Sequence, residues 1–213
     1  QGGITWGKRT DILSVQRLEE DHIFTNEGQG IFPNKQTDLW PLIGTLNSKL
    51  FQATINALCG QHKTSGYMRL LPYDRPAPEE VRPVSMSAQQ GFLLRLHWDY
   101  GNEVSPHFSV PYLVQIQEAA YERVHGATGG IDRILELLDH DGPKIAMEES
   151  ITLGALLDAA LATEKAVGLR LQSLQAEIDK RVYDIYGISQ RDRRLIEREL
   201  GDRPPVLVWP EME

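Results

Sequence analysis

The apolar positions change their period along the chain. In the first third they come in short runs. Ile4-Thr5-Trp6 and His22-Ile23-Phe24 consist of strand-forming residues, and Asn26-Glu-Gly-Gln-Gly30 reads as a turn by its glycines. From Leu39 the spacing lengthens. Leu39, Leu42, Ile43, Leu46, Leu50, Ile55 and Leu58 mark one face of an amphipathic helix of about five turns. Asp38 precedes it as an N-cap, Pro41 fits its first turn and Gly60 is placed to end it. Tyr67-Met-Arg-Leu-Leu71 then reads as a strand closed by Pro72.

Prolines at 72, 76, 78 and 83 predict an extended, semi-rigid connector, placed at 76–87. Helical spacing dominates beyond it, over Ala88–Trp98, Tyr112–Val124 and Gly130–Leu138. The longest signal starts near Thr152. Leu153, Leu156, Leu157, Ala160, Leu161, Val167, Leu171, Leu174, Ile178, Val182 and Ile185 form its stripe, close to a heptad seam from Val167, with Gly187 as the stop. Such a helix packs back on its neighbours or pairs between chains. Ser189 caps a last helix ending at Leu200, and Pro204–Pro210 is an extended tail. The expected fold class is α+β: a small mixed α/β subdomain over 1–75, the connector, and a mainly helical region over 88–213 that ends in the extended tail.

Length and composition fit a globular protein with a real core. No apolar run is long enough for a membrane span, and the first residues lack a secretory pattern, so a cytoplasmic location is expected. Cys59 is the one cysteine, which suits a reducing compartment. The net charge of −8 has the wrong sign for coating nucleic acid. Its distribution is uneven. Residues 1–75 carry eight cations against seven anions, a balance of +1 that leaves −9 for the remainder. A phosphate-facing surface is therefore expected in the first third.

Thr5, Trp6, Lys8 and Arg9 place an aromatic, two cations and a hydroxyl within five residues. Those types suit a DNA reader: cations for phosphates or guanine edges, hydroxyls for backbone oxygens. By residue type alone, a strand with a core tryptophan and a solvated Lys-Arg turn is the favoured account. Lys63, Thr64 and Ser65 are donors, and Gly66 permits close approach; Tyr67 and Arg69 follow. A plain solvated loop is an equal alternative there. Gly28-Gln-Gly-Ile-Phe32 lacks the lysine and hydroxyl of a nucleotide loop and reads as a turn feeding a strand. Leu46-Asn-Ser-Lys-Leu50 reads as an ordinary helix face.

Taken in order, these words resemble the target-recognition part of bacterial N6-adenine DNA methyltransferases. The family members are the large enzymes of BREX-type and DISARM-type phage defence and of type IIG restriction–modification. The matching pieces are Gly3-Ile-Thr-Trp-Gly-Lys-Arg-Thr10, Leu46-Asn-Ser-Lys-Leu50, Gly66-Tyr-Met-Arg-Leu-Leu-Pro72, Asn102-Glu-Val-Ser-Pro-His-Phe-Ser-Val-Pro111 and Ile178–Ile188. The resemblance implies contact with double-stranded DNA through Thr5, Trp6, Lys8, Arg9, Thr10, Lys63, Thr64, Ser65, Gly66, Tyr67 and Arg69. It also implies an upstream methyltransferase domain that holds S-adenosylmethionine, with other defence-system proteins as further partners.

The chain contains neither the cofactor loop nor the Asn/Asp-Pro-Pro-Tyr/Phe segment of that chemistry, so no cofactor and no catalytic residue are expected within it. Its six histidines never fall at metal-ligand spacing, and no nucleophile motif is present. Two alternatives accompany this reading. One is a specificity subunit of a multisubunit restriction system. The other is a protein-interaction domain that presents its acidic helical surface and never touches DNA.

Overall fold

A computed structural model describes residues 2–20, 25–74, 76–124, 130–138 and 152–201. The expected strand at His22–Phe24 and the expected tail at Pro204–Pro210 lie outside them. Contacts divide the chain into two compact units, one formed by residues 1–89 and 174–213, the other by residues 90–173.

In the first unit, β1 (Gly3–Gly7) lies between β2 (Gln16–Leu18) and β3 (Gly28–Ile31), antiparallel to both. The strand read at Ile4–Trp6 is thus the centre of the sheet, with Ile4 opposite Arg17 on one side and Ile31 on the other. Ile4 and Trp6 are buried while Thr5 between them is half-buried, the period of two that a one-sided sheet requires. Strand β3 begins inside the segment read as a turn. The reversal falls one step earlier, where Thr25 Oγ1 accepts from the Glu27 and Gly28 amides.

The single helix expected over Leu39–Leu58 is two: α1 (Leu39–Leu46) and α2 (Lys49–Leu58). Ser48 is extended, with ψ at 154°, and so ends one helix and opens the next. At the break the Asn47 side chain serves the backbone of Val15 instead of its own helix. Asp38 stands at the N-cap of α1 but makes no capping bond. Residues Tyr67–Leu71 do not form a strand. Ser65–Met68 is a helical turn, α3; Met68 within it and Leu71 after it are buried, while Tyr67, Arg69 and Leu70 face solvent. That spacing of three is helical.

Helix α4 (Pro78–Asp99) replaces much of the extended connector. Pro78 occupies the first helical position, where its missing N–H costs nothing, and Glu80 Oε2 accepts from the Ala77 amide at 2.9 Å. Pro83 lies within the helix. Val81, Val84 and Ala88 form its buried stripe. Gly44 of α1 lies so close to Val84 that a Cβ there would stand 2.6 Å from Val84 Cγ1. The core joins Ile4, Trp6, Leu13, Val15, Ile43, Leu46, Phe51, Ile55, Val84, Ile178 and Val182.

Ile178 and Val182 belong to α7 (Leu153–Ile185), the long helix, which starts and stops where its stripe predicts. Gly187 follows it at φ 62°, a conformation that glycine adopts without a Cβ penalty. Ser189 caps α8 (Gln190–Leu200), its hydroxyl accepting from the Asp192 amide at 3.2 Å. In the second unit, α5 (Tyr112–Val124) and α6 (Gly130–Leu137) fall where helical spacing places them. Ile116, Ile131 and Leu156 form its core, with Tyr112 and Leu135 against them. The chain is thus a mixed α/β region followed by a mainly helical one that includes the long helix α7. No helix among the described residues is long and apolar enough to cross a membrane.

Candidate functional site

Beyond β1 the chain stays extended and meets a segment more than fifty residues later. The Lys63 amide donates to Lys8 O at 2.8 Å, the Thr10 amide donates to Gln61 O at 3.0 Å, and Arg9 pairs with His62 in an antiparallel bridge. Trp6 fixes the depth of this pairing: its ring is buried and its indole N–H donates to Lys63 O at 2.8 Å. The Lys63 side chain runs beneath the pair, fully buried. Its ammonium donates to Thr10 O at 2.7 Å and Gly60 O at 3.1 Å, which satisfies a charge that could not otherwise leave water.

A cleft of about 470 Å³ opens beside this pairing, lined by Thr5, Trp6, Gly7, Arg9, Thr10, Ser14, Gln16 and Gly28. Ser14 and Gln16 reach it because Leu13 and Val15, which alternate with them, are buried on the other side. Two buried carboxamides hold that alternation. Asn47 Oδ1 accepts from the Val15 amide and Asn47 Nδ2 donates to Val15 O, each at 2.8 Å. Gln52 Oε1 accepts from the Leu13 amide at 2.8 Å, and its Nε2 donates to Leu13 O. The two side chains take the place of a neighbouring strand. Asn47→Ala should strand the Val15 amide and carbonyl in the core and cost roughly 1–3 kcal/mol in urea unfolding. A loss near zero would show that the clamp contributes nothing.

Asn47 is itself held from α7. Gln175 Nε2 donates to Asn47 O at 3.3 Å and to Asp179 Oδ1 at 3.1 Å. Asp179 Oδ1 also accepts from the Lys49 amide at 2.8 Å, which caps the start of α2 from 130 residues away. Burial pushes the Asp179 carboxyl up to about 6. The Lys49 amide, the Lys49 charge and the Gln175 hydrogen bond pull it back down, whereas Glu197 adds to the rise.

The eleven residues read as DNA contacts separate by place. Thr5, Trp6, Arg9 and Thr10 line the cleft. Thr5 Oγ1 donates to Gln29 O at 2.9 Å, and Thr10 Oγ1 donates to Ile12 O at 2.8 Å. Lys8 and Arg9 stand over Glu27, with Lys8 Nζ 3.5 Å and Arg9 Nε 3.7 Å from its carboxylate. These are loose pairs at the surface, and the Arg9 side chain is 69% exposed. Lys63 is internal. Ser65 is tied to β3, its amide donating to Gln29 Oε1, and Thr64 is the extended residue before α3. Gly66, Tyr67 and Arg69 are exposed on or just after α3 and do not line the cleft.

Ser14, Gln16, Glu27 and Asp179 had not been singled out. The alternation of Leu13 and Val15 with Ser14 and Gln16 was a legible signal for the first two. Asp179 lies within the Ile178–Ile188 piece, but its Lys49 partner is 130 residues away, so no local pattern gives it a role.

No protein-family model, curated protein or solved structure matches the chain. That finding corrects the labels the resemblance carried by kinship: DNA-binding methyltransferase, S-adenosylmethionine, restriction–modification and antiviral defence. Among the described residues there is also no group of three or more His, Cys, Asp or Glu side chains that could hold a metal ion. Those labels are withdrawn, and any function rests on the cleft's own chemistry.

Proposed function

We propose that the cleft of the first unit is a recognition surface that reads a nucleic-acid duplex. The observation that carries this reading is the lining: one guanidinium, three hydroxyls and one carboxamide around a single concavity, from Arg9, Thr5, Thr10, Ser14 and Gln16. Arginine presents paired donors and glutamine a donor beside an acceptor, as base edges require, and the Ser14 hydroxyl suits a backbone oxygen, whereas those of Thr5 and Thr10 already donate to Gln29 O and Ile12 O. The Arg9 side chain is exposed and stands in a loose pair with Glu27, so exchanging that carboxylate for a phosphate or a guanine edge costs little. The net charge of −8 requires such a contact to be local, because the chain as a whole repels a polyanion.

Anisotropy titration of the full chain against duplexes of varied sequence tests the reading. Arg9→Ala is expected to lose about 1–3 kcal/mol at the preferred duplex and to flatten preference there. Glu27→Gln is expected to tighten binding to every duplex, because Lys8 and Arg9 lose their internal counter-charge. Duplex affinities unmoved by both substitutions would rule the cleft out as the reading surface.

A further inference from the structure

Helix α8 of the same unit is firmly bounded, by the Ser189 cap at its start and by Gly201, at φ 65°, after its end. On its exposed side stand Arg191, Arg194 and Arg198. At about 100° and 1.5 Å per residue the three fall within roughly 60° of arc and span roughly 10 Å along the axis. Leu195, also exposed, borders the stripe. The acids of the helix, Asp192, Glu197 and Glu199, lie at least about 60° away from it around the axis.

Several other guanidiniums are paired: Arg17 with Glu19 at 3.0 Å, Arg95 with Asp99 at 3.5 Å, Arg133 with Glu136 at 3.7 Å and Arg193 with Asp184 at 2.7 Å. None of the three stripe arginines pairs with a carboxylate among the described residues, although the chain holds 30 acidic residues against 22 lysines and arginines. Arg194 and Arg198 face each other at the i,i+4 spacing, where like charges repel by a few tenths of a kcal/mol. An external anion removes that repulsion.

We propose that Arg191, Arg194 and Arg198 form a phosphate-backbone contact for duplex nucleic acid, separate in role from the cleft. The proposal rests on the duplex reading of the cleft. Three guanidinium forks on a rigid rod suit phosphates, which accept them bidentately. A duplex carries one charge per about 1.7 Å of axis, so the length of the stripe meets several phosphates. Backbone contacts of this kind set position and strength, while base contacts set sequence.

The test uses the full chain, a labelled mixed-sequence duplex and a set of defined-sequence duplexes, titrated between 50 and 200 mM salt, at about the range over which counterion release is read. The variant is R191Q/R194Q/R198Q, which keeps good helix formers; its circular dichroism should match wild type. The expected result is a log-affinity against log-salt slope shallower by about 0.9 for each lost contact, with the same fold-loss for every sequence. An unchanged slope overturns the stripe, and if Arg9→Ala still flattens sequence preference the cleft reading survives alone. A shallower slope with Arg9→Ala silent supports the stripe and overturns the cleft. Wild-type binding to polyglutamate but not to the duplex overturns the stripe as a phosphate contact and identifies an acidic protein surface as its partner.

Discussion

The stability advantage of Asp179→Asn over wild type is expected to grow by about 2–3 kcal/mol between pH 4 and pH 7, at about 1.4 kcal/mol per pKa unit. The folded-state carboxyl is pushed from 3.8 up to about 6, chiefly by burial. At pH below 3.8 both folded and unfolded chains hold the proton, so the group contributes no pH dependence. Between 3.8 and about 6 the unfolded chain has released its proton and the folded chain retains it. The unfolded state then binds fewer protons, and stability falls as pH rises. Above about 6 the loss is complete and constant. Asparagine keeps an oxygen to accept from the Lys49 amide and has no charge to bury. The groups that face this carboxyl are Lys49 and Glu197, besides Gln175 and Tyr183, and the variant leaves all four in place. Urea unfolding at pH 4, 5, 6, 7 and 8 reads the difference. A difference that stays flat across that range would mean that Asp179 titrates as an ordinary surface carboxyl.

The second large effect belongs to Trp6. Trp6→Ala is expected to cost roughly 3–5 kcal/mol, because it removes a fully buried aromatic ring from the main core. It also orphans Lys63 O, the acceptor of the indole N–H at 2.8 Å. Trp6→Phe separates the two parts: most of the ring volume returns, while the lost hydrogen bond leaves a deficit of about 1–3 kcal/mol. Amide exchange across residues 61–64 should accelerate in both variants, since Trp6 fixes that segment against residues 8–10. If Trp6→Ala lowers stability by less than about 1 kcal/mol, the ring is not the structural centre of the first unit and a surface role returns.

Much of the helical architecture was legible in local pattern. The boundaries of α5, α6, α7 and α8 follow from spacing, from a capping serine and from glycine stops, since each of these acts over only a few residues. Strand β1 was legible for the same reason. The misread elements fail where a remote partner overrides the local signal. Leu39–Leu58 has an unbroken helical stripe, yet it breaks at Asn47 and Ser48 because Asn47 bonds to Val15 and Asp179 caps Lys49. Tyr67–Leu71 has strand-forming residues, but no neighbouring strand pairs with them and a helical turn closes the segment. Four prolines suggested an extended connector, whereas Pro78 and Glu80 together start a helix.

The candidate site divides in the same way. The sequence by itself determined which residue types are available: Thr5, Arg9 and Thr10 beside a tryptophan, with the polar loop at 61–66. It also determined the acidic balance that confines any anion contact to small patches. Only the tertiary structure decided which of them face outward. Lys63 and Trp6 have the same residue types as Arg9 and Tyr67, a cation and an aromatic, yet the first two are buried and the second two exposed. Backbone carbonyls from Thr10 and Gly60 reach the Lys63 ammonium, and Lys63 O reaches the Trp6 indole, so both polar groups are satisfied inside the protein. Satisfaction of buried polar groups depends on what the fold brings within about 3 Å, and that distance is set across tens of residues rather than by neighbours in sequence.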